Sequence, residues 1–398
     1  MASWKKTFVS AFIAQVLSIV GFFFAMPFLP FFVRDLGVTD TSEQAWWAGV
    51  ALASTAITFA VFSPLWGALA DRYGRKLMVM RAMFGGTVVL LLMSFARTVG
   101  ELVICRLLQG ALTGTMAASV ALVAGVTPQH RSGFALGLMQ AAVLIGASLG
   151  PLLGGVVADA FGYRAAFRVG AGVVFFGGML VCAGTEEAPA PPAAEGDGGW
   201  RGLRTIVTSP MFLLAVLILL LVRFSTTMAN PSFPLIVKEI VPSSTRINSI
   251  TGSVMAVAAL SGALSAAVLG HFSDRWGPRR VLMICSLGAA AACLLHAAAF
   301  SIRALVMARI LFGLSVAALL PSANALIRVV VVDRNLGKAF GVATSMSMLG
   351  VAMGPLLGGY LAKTVNLRTP FVVCAAALVG LTAVVAWAMP ARGRERST

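Results

Sequence analysis

The chain has 398 residues, of which 59% are apolar and 11% charged, with 30 basic and 14 acidic side chains giving a net charge of +16. A soluble globular protein carries about 25% charged residues, so this sequence cannot assemble a water-facing surface, and its mean hydropathy of +0.93 points the same way. Five Cys inside apolar runs, with no C-x-x-C pair, exclude a disulfide scaffold and are accounted for by packing rather than metal or redox chemistry. An all-α polytopic membrane protein is what remains.

A bilayer-spanning helix needs about 20 mainly apolar residues. Runs of that kind fall at 8–33, 46–70, 77–96, 101–126, 133–157 and 165–184, then at 210–233, 248–270, 281–299, 304–331, 338–362 and 369–389, which we number spans 1 to 12. The first is too long for a cleaved leader and holds Pro27 and Pro30. With the N-terminus inside, sixteen Lys and Arg fall in cytoplasmic segments and nine outside, which favours both termini in the cytoplasm. The excess positive charge is therefore a topology signal, and no nucleic-acid partner is expected. Arg81, Arg106, Arg223, Arg309 and Arg328 remain within or close to the spans. The Pro-, Gly- and Ala-rich stretch at 185–207 reads as a cytoplasmic linker between a bundle at 1–184 and a second at 208–398.

The two halves repeat each other. Gly67, Asp71, Arg72, Gly74, Arg75 and Lys76 match Gly270, Asp274, Arg275, Gly277, Pro278 and Arg279 at an offset of 203. Arg106 and Gly110 match Arg309 and Gly313 at the same offset. Gly137, Gly146, Gly150-Pro151-Leu-Leu-Gly154-Gly155 match Gly341, Gly350, Gly354-Pro355-Leu-Leu-Gly358-Gly359 at 204. Duplicated six-helix halves mark secondary transporters, whose substrate site lies near the midplane between the repeats.

On these residues the chain resembles the major facilitator superfamily (MFS), in particular its twelve-span drug:proton antiporters. The loop after span 2 resembles the superfamily signature, and Leu102, Arg106, Gln109 and Gly110 resemble the span 4 motif of proton-coupled members. The ladder ending in Gly150-Pro151-x-x-Gly154-Gly155 resembles the antiporter signature of span 5, and Gly21, Pro27 and Pro30 resemble the span 1 motif. The resemblance implies two pseudo-symmetric six-helix bundles and export of small amphipathic compounds by proton antiport with alternating access. An importer or exporter of an organic anion or metabolite on the same fold is the alternative.

It also implies a conformational gate formed by Gly67, Asp71, Arg72, Gly74 and Arg75, with Asp274 and Arg275 as its second copy. A carboxylate there can cap the positive end of a neighbouring helix in one state and release it in another. Arg106 is implied in proton coupling. The stacked Gly146, Gly150 and Gly154, with Gly155, permit close helix approach, and Pro151 bends the helix.

One departure stands out. All fourteen acids lie in loops or at span ends, and none sits at a predicted midplane. If protons are coupled, Asp35, Asp71 or His296 in span 9 must carry them, and His296 is expected to be a packed, hydrogen-bonded residue. A cavity with Arg and no acid favours neutral or anionic cargo. Arg223 of span 7 is the expected cavity cation. Phe24, Met26, Gln140, Asn230 and Asn324 are further cavity candidates, with Gln15, Met139, Met228 and Met346 behind them.

An enzyme is not expected, because three isolated His and no intramembrane acid supply no catalytic constellation, no metal site and no cofactor site. No Walker motif offers ATP coupling. The expected partners are a small-molecule substrate, protons and the lipid bilayer, with a monomer as the working unit. Compact loops and the lack of a targeting extension point to a bacterial inner membrane.

Overall fold

The computed structural model describes residues 3–187, 209–330 and 336–388. Twelve helical stretches in it are long and apolar enough to cross a membrane, one for each span. The linker expected at 185–207 lies, from residue 188 onward, outside the described residues.

Local chemistry sets the ends of the spans. Asp40 precedes the helix Thr41–Tyr73 and accepts from the Glu43 amide at 2.9 Å. The Ser42 hydroxyl and then that amide hold the Asp40 carboxyl below its usual range. Thr98 caps Val99–Leu112 by accepting from the Glu101 amide, while Glu101 reaches back to the Arg97 amide at 2.7 Å. Ser209 and Ser301 cap spans 7 and 10 in the same way. Tight reversals between spans use glycines with positive φ, namely Gly37, Gly74, Gly162 and Gly277.

Among the described residues, four spans are discontinuous. Span 1 breaks between Ser3–Ala25 and Leu29–Asp35, at a short 3₁₀ turn containing Pro27. Span 7 breaks between Pro210–Met228 and Phe233–Ile240. Span 4 breaks between Val99–Leu112 and Thr115–Val126 at Gly114, whose φ is 137°. Span 10 breaks between Ile302–Val316 and Leu319–Val330. Each break occurs at the same place in the duplicated pattern, spans 1 and 7 and spans 4 and 10.

The duplication extends to individual hydrogen bonds. Lys76 at the start of span 3 donates to the Cys182 and Thr185 carbonyls at the end of span 6. Arg279 at the start of span 9 donates to the Ala386 carbonyl at the end of span 12. Arg164 donates to Ser94 O, and Arg368 to Ala297 O, both at 2.9 Å. Each cation satisfies the orphan carbonyls and negative end of a neighbouring helix. The repeated basic residues thus tie helices together within each half.

Each half has its own apolar core. Phe28, Phe32, Met83, Met93, Leu102 and Phe167 centre the first; Phe212, Ile218, Leu282 and Leu378 centre the second. His296 is packed in the second half, with Nδ1 2.7 Å from Ala292 O and its ring stacked on Phe371.

Candidate functional site

The halves meet at the far face, opposite the face where span 1 begins. Two helix crossings close it. Span 5 (Ser132–Phe161) crosses the start of span 8 (Ile247–Ser265), and span 11 (within Leu336–Thr364) crosses the start of span 2. A β-carbon on Gly252 would strike the Pro151 carbonyl, and one on Gly49 would strike the Pro355 carbonyl. Likewise a β-carbon on Gly155 would sit 3.0 Å from the Ser249 α-carbon, and one on Gly359 3.0 Å from the Trp46 α-carbon. The crossings are related by the same offsets as the sequence repeat. Only glycine permits backbones to approach this closely.

The ladder in span 5 therefore has two faces. Gly146, Gly150 and Gly154 pack on span 1 of the same half, against Ile19, Phe23 and Phe24 respectively, whereas Gly155 packs on the opposite half. Toward the near face the crowding vanishes: a β-carbon added at Gly67, Gly133, Gly137 or Gly341 would meet nothing within 4 Å. Among the described residues, the close backbone approaches between the halves lie at the far face.

Polar latches reinforce the closed face. Asp159, near the end of span 5, accepts from the backbone amides of Asn248 and Ser249 at 3.1 and 2.8 Å and from both side chains. A carboxylate of one half thereby caps the positive N-terminus of a helix in the other. At the second crossing Lys363 pairs with Glu43 at 3.3 Å. Asp159 and Lys363 are repeat equivalents, so the two latches have opposite polarity. In the sequence both residues are span-end charges like the others, and the opposite signs at equivalent repeat positions are the signal that marks them.

Beneath the closed face lies a small cavity of about 50 Å³ between the breaks of spans 1 and 7. Met26, Pro27 and Pro30 face Asn230 and Pro231 across it, with Phe23, Leu29, Leu52 and Met255 completing the wall. Met26 and Asn230 are thus brought together. Phe24 is 3% exposed and belongs to the first-half core. Gln140 and Asn324 are exposed on spans 5 and 10. Met139, Met228 and Gln15 are fully buried, and both amide atoms of Gln15 lack a partner.

The embedded cations differ in setting. Arg106 is 2% exposed, donates through Nη1 to Gln109 Oε1, and leaves Nε and Nη2 without partners. Arg309 lies 3.6 Å over the Phe233 ring. Arg223 is half-buried with an unpartnered Nε, and its β-carbon adjoins Gly350. Asp35 is exposed and pairs with its neighbour Arg34 at 3.5 Å.

At the near face the side chains of Asp71, Asp274 and Arg275 lie outside the described residues. Around them Arg72 is exposed over Tyr73, and Arg75 donates to the Ala121 carbonyl of span 4 at 2.8 Å. Glu187, unremarked in the sequence, accepts from the Arg75 and Lys76 amides at 2.7 and 2.8 Å and caps span 3. Gly74 makes room for it: a β-carbon there would sit 2.8 Å from a Glu187 carboxylate oxygen.

Twelve spans in two pseudo-symmetric bundles, closed at one face around a cavity at the helix breaks, define a membrane transporter rather than an enzyme. Comparison with known proteins gives its family. The Major Facilitator Superfamily model matches residues 11–224 and 215–398, and the chain belongs to that superfamily. It is 31% identical over 386 residues to the multidrug resistance protein MdtG of Salmonella heidelberg, covering 97% of this chain and 95% of that one. It is 32% identical to MdtG of Enterobacter lignolyticus over 374 residues, covering 94% and 90%. Among solved structures it resembles a mutant form of the nucleoside transporter NupG, with a TM-score of 0.78 at 16% identity, covering 96% of this chain and all of that one.

Proposed function

We propose that this transporter exports small amphipathic compounds from the cytoplasm in exchange for protons, with neutral or anionic cargo favoured. The carrying observation is a far face closed by two glycine–proline crossings, with no such close approach at the described glycines of the near face. The charge excess on the near-face segments supports placing that face and both termini in the cytoplasm, in keeping with a bacterial inner membrane. Cargo then enters from the cytoplasm, reaches the breaks of spans 1 and 7, and leaves when the crossings part. The full-length likeness to multidrug resistance proteins favours export over uptake.

Charge preference follows from the embedded residues. Arg223 is half-buried and Arg106 fully so, and among the described residues no acid lines the cavity at the helix breaks. Among the described residues no charged side chain lines that cavity, so a cationic cargo finds no counter-charge there, and the embedded Arg106 and Arg223 elsewhere in spans 4 and 7 disfavour it further. Proton coupling is assigned to a state-dependent carboxylate: Asp35 and Asp71 remain the candidates, with Arg106 tuning the exchange. Gly67, Asp71, Arg72, Gly74 and Arg75, with the second copy at Asp274 and Arg275, act as the near-face gate when the cleft closes, and Pro151 with its glycines supplies the bend on which span 5 moves. Each bundle, 1–184 and 208–398, moves as one body about the linker 185–207.

The test uses inside-out vesicles energised to an acid interior, with a dye reporting the pH gradient. Chain-matched amphipathic cations, neutrals and anions are added, with empty vesicles and Asp71→Asn vesicles as controls. Dissipation by neutrals or anions, absent in both controls, supports proton-coupled export of that class. Dissipation by cations alone overturns the charge preference, and none by any class overturns proton antiport.

A further inference from the structure

A second cavity, about 300 Å³, lies between spans 2, 3 and 4 of the first half. It exists because span 4 breaks at Gly114 and its lower helix leans away from span 2. Phe59 and Trp66 of span 2 form one wall, Met78 and Arg81 of span 3 the back, and Ala117 and Ala121 of span 4 the other wall. Its volume is at the lower end of the range for ligand pockets, about 300–1,000 Å³. It shares no residue with the cavity at the helix breaks.

Arg81 gives this cavity its character. Its guanidinium lies 3.5 Å over the Trp66 ring, and the ring is fixed by an indole hydrogen bond to the Ala111 carbonyl at 2.6 Å. The Nε and Nη1 atoms of Arg81 are buried with no hydrogen-bond partner. Stacking on an aromatic face offsets part of the burial of a cation but satisfies no N–H. Among the described lining residues there is no carboxylate, and the second cation, Arg75, already donates to Ala121.

The scaffold does not demand this pair. Gly67, Arg72 and Gly74 around it recur in the second half as Gly270, Arg275 and Gly277, whereas Trp66 and Arg81 become Leu269 and Ile284. Ile284 is 57% exposed. An apolar side chain therefore serves at the equivalent position, and the first half carries a buried guanidinium where folding needs none.

We propose that this cavity binds an amphipathic oxyanion, its carboxylate, phosphate or sulfonate head on the free edge of Arg81 and its apolar body against Phe59, Met78 and the span 4 alanines. A planar guanidinium matches two oxygens of such a head, and the unpartnered Nε and Nη1 groups, closed to solvent here, meet it when the Arg81 side chain turns into the cavity. The alkyl part replaces water on aromatic and aliphatic walls. The same chemistry is offered by the headgroup of an anionic phospholipid and by a soluble amphipathic acid. The inference is independent of the direction of transport and of its coupling.

The full chain, in nanodiscs of phosphatidylcholine, is titrated calorimetrically with decyl phosphate, with decyltrimethylammonium and decanol as chain-matched probes and empty nanodiscs as the partition control. Saturable binding of decyl phosphate alone is expected, weakened about tenfold or more in Arg81→Gln, because an ionic hydrogen bond is lost. Ala117→Phe keeps the charge but fills the cavity, and it is expected to abolish binding; it decides the matter if Arg81→Gln does not fold. Repeating the titration with phosphatidylglycerol in the nanodisc separates the sources. Competition by that lipid identifies a headgroup site, and undiminished binding identifies a site for soluble acids; both support the proposal. Equal affinity in wild type and Ala117→Phe, or equal binding of the decyl cation, overturns it.

Discussion

Gly252 and Asp159 hold the same crossing by different physics, and substitutions separate them. Valine at Gly252 drives a side chain into the Pro151 carbonyl, an overpacking that costs about 1–3 kcal/mol and is relieved only when the halves part. The far face should then open more often, by about tenfold for about 1.4 kcal/mol. A cysteine at Asn230, in a Cys182→Ser background, reports this as faster alkylation by an impermeant reagent from the far side. Asp159→Asn leaves the packing untouched but removes the charge that four donors converge on. Ionic hydrogen bonds contribute about 1.5–3 kcal/mol each, so the same reporter should react faster there too, with melting temperature little changed. An unaltered rate in Asp159→Asn would mean that glycine packing alone closes the face.

At the scale of elements, the twelve spans were legible because a membrane helix must be a continuous apolar run, and hydropathy alone finds it. The helix breaks were legible only in part. Pro27 and Pro30 announce the one in span 1, Pro231 and Pro234 the one in span 7, and Pro321, which cannot donate to the Ala317 carbonyl, the one in span 10, whereas span 4 breaks at Gly114 with no proline beside it. Which face of a span looks inward was not legible either. Phe24 and Met26 are equally apolar, and lipid-facing and protein-facing positions share that composition; only the geometry puts Met26 at the cavity and Phe24 in the core. The near-face turn was the opposite case, since its glycines were visible and their partner was not. Gly74 has φ 98° and ψ 151° and faces the Glu187 carboxylate. That conformation costs a non-glycine residue about 1–3 kcal/mol. Gly74→Ala should therefore lower the melting temperature, and Glu187→Ala in the same chain should recover little of the loss, because the backbone strain remains when the clash is gone.

For the whole molecule, the two latches of opposite polarity have a consequence that neither has alone. Each fixes one crossing, and the halves can part at the far face only if both release, because the crossings lie on either side of the same pseudo-two-fold axis. Tying one crossing shut should therefore hold the whole face shut. Glu43 and Lys363 are suited to this, because their ion pair is about half exposed and such pairs contribute about 0–1 kcal/mol. Glu43→Cys and Lys363→Cys should each transport normally in a Cys182→Ser background. In the double variant a short bifunctional thiosulfonate should stop transport, and a reductant should restore it. Binding of cargo from the near face should survive the cross-link, since it ties only the far face. Transport that continues with the two residues joined would mean that cargo crosses without the far-face crossings parting, and would refute the alternating motion of the two halves.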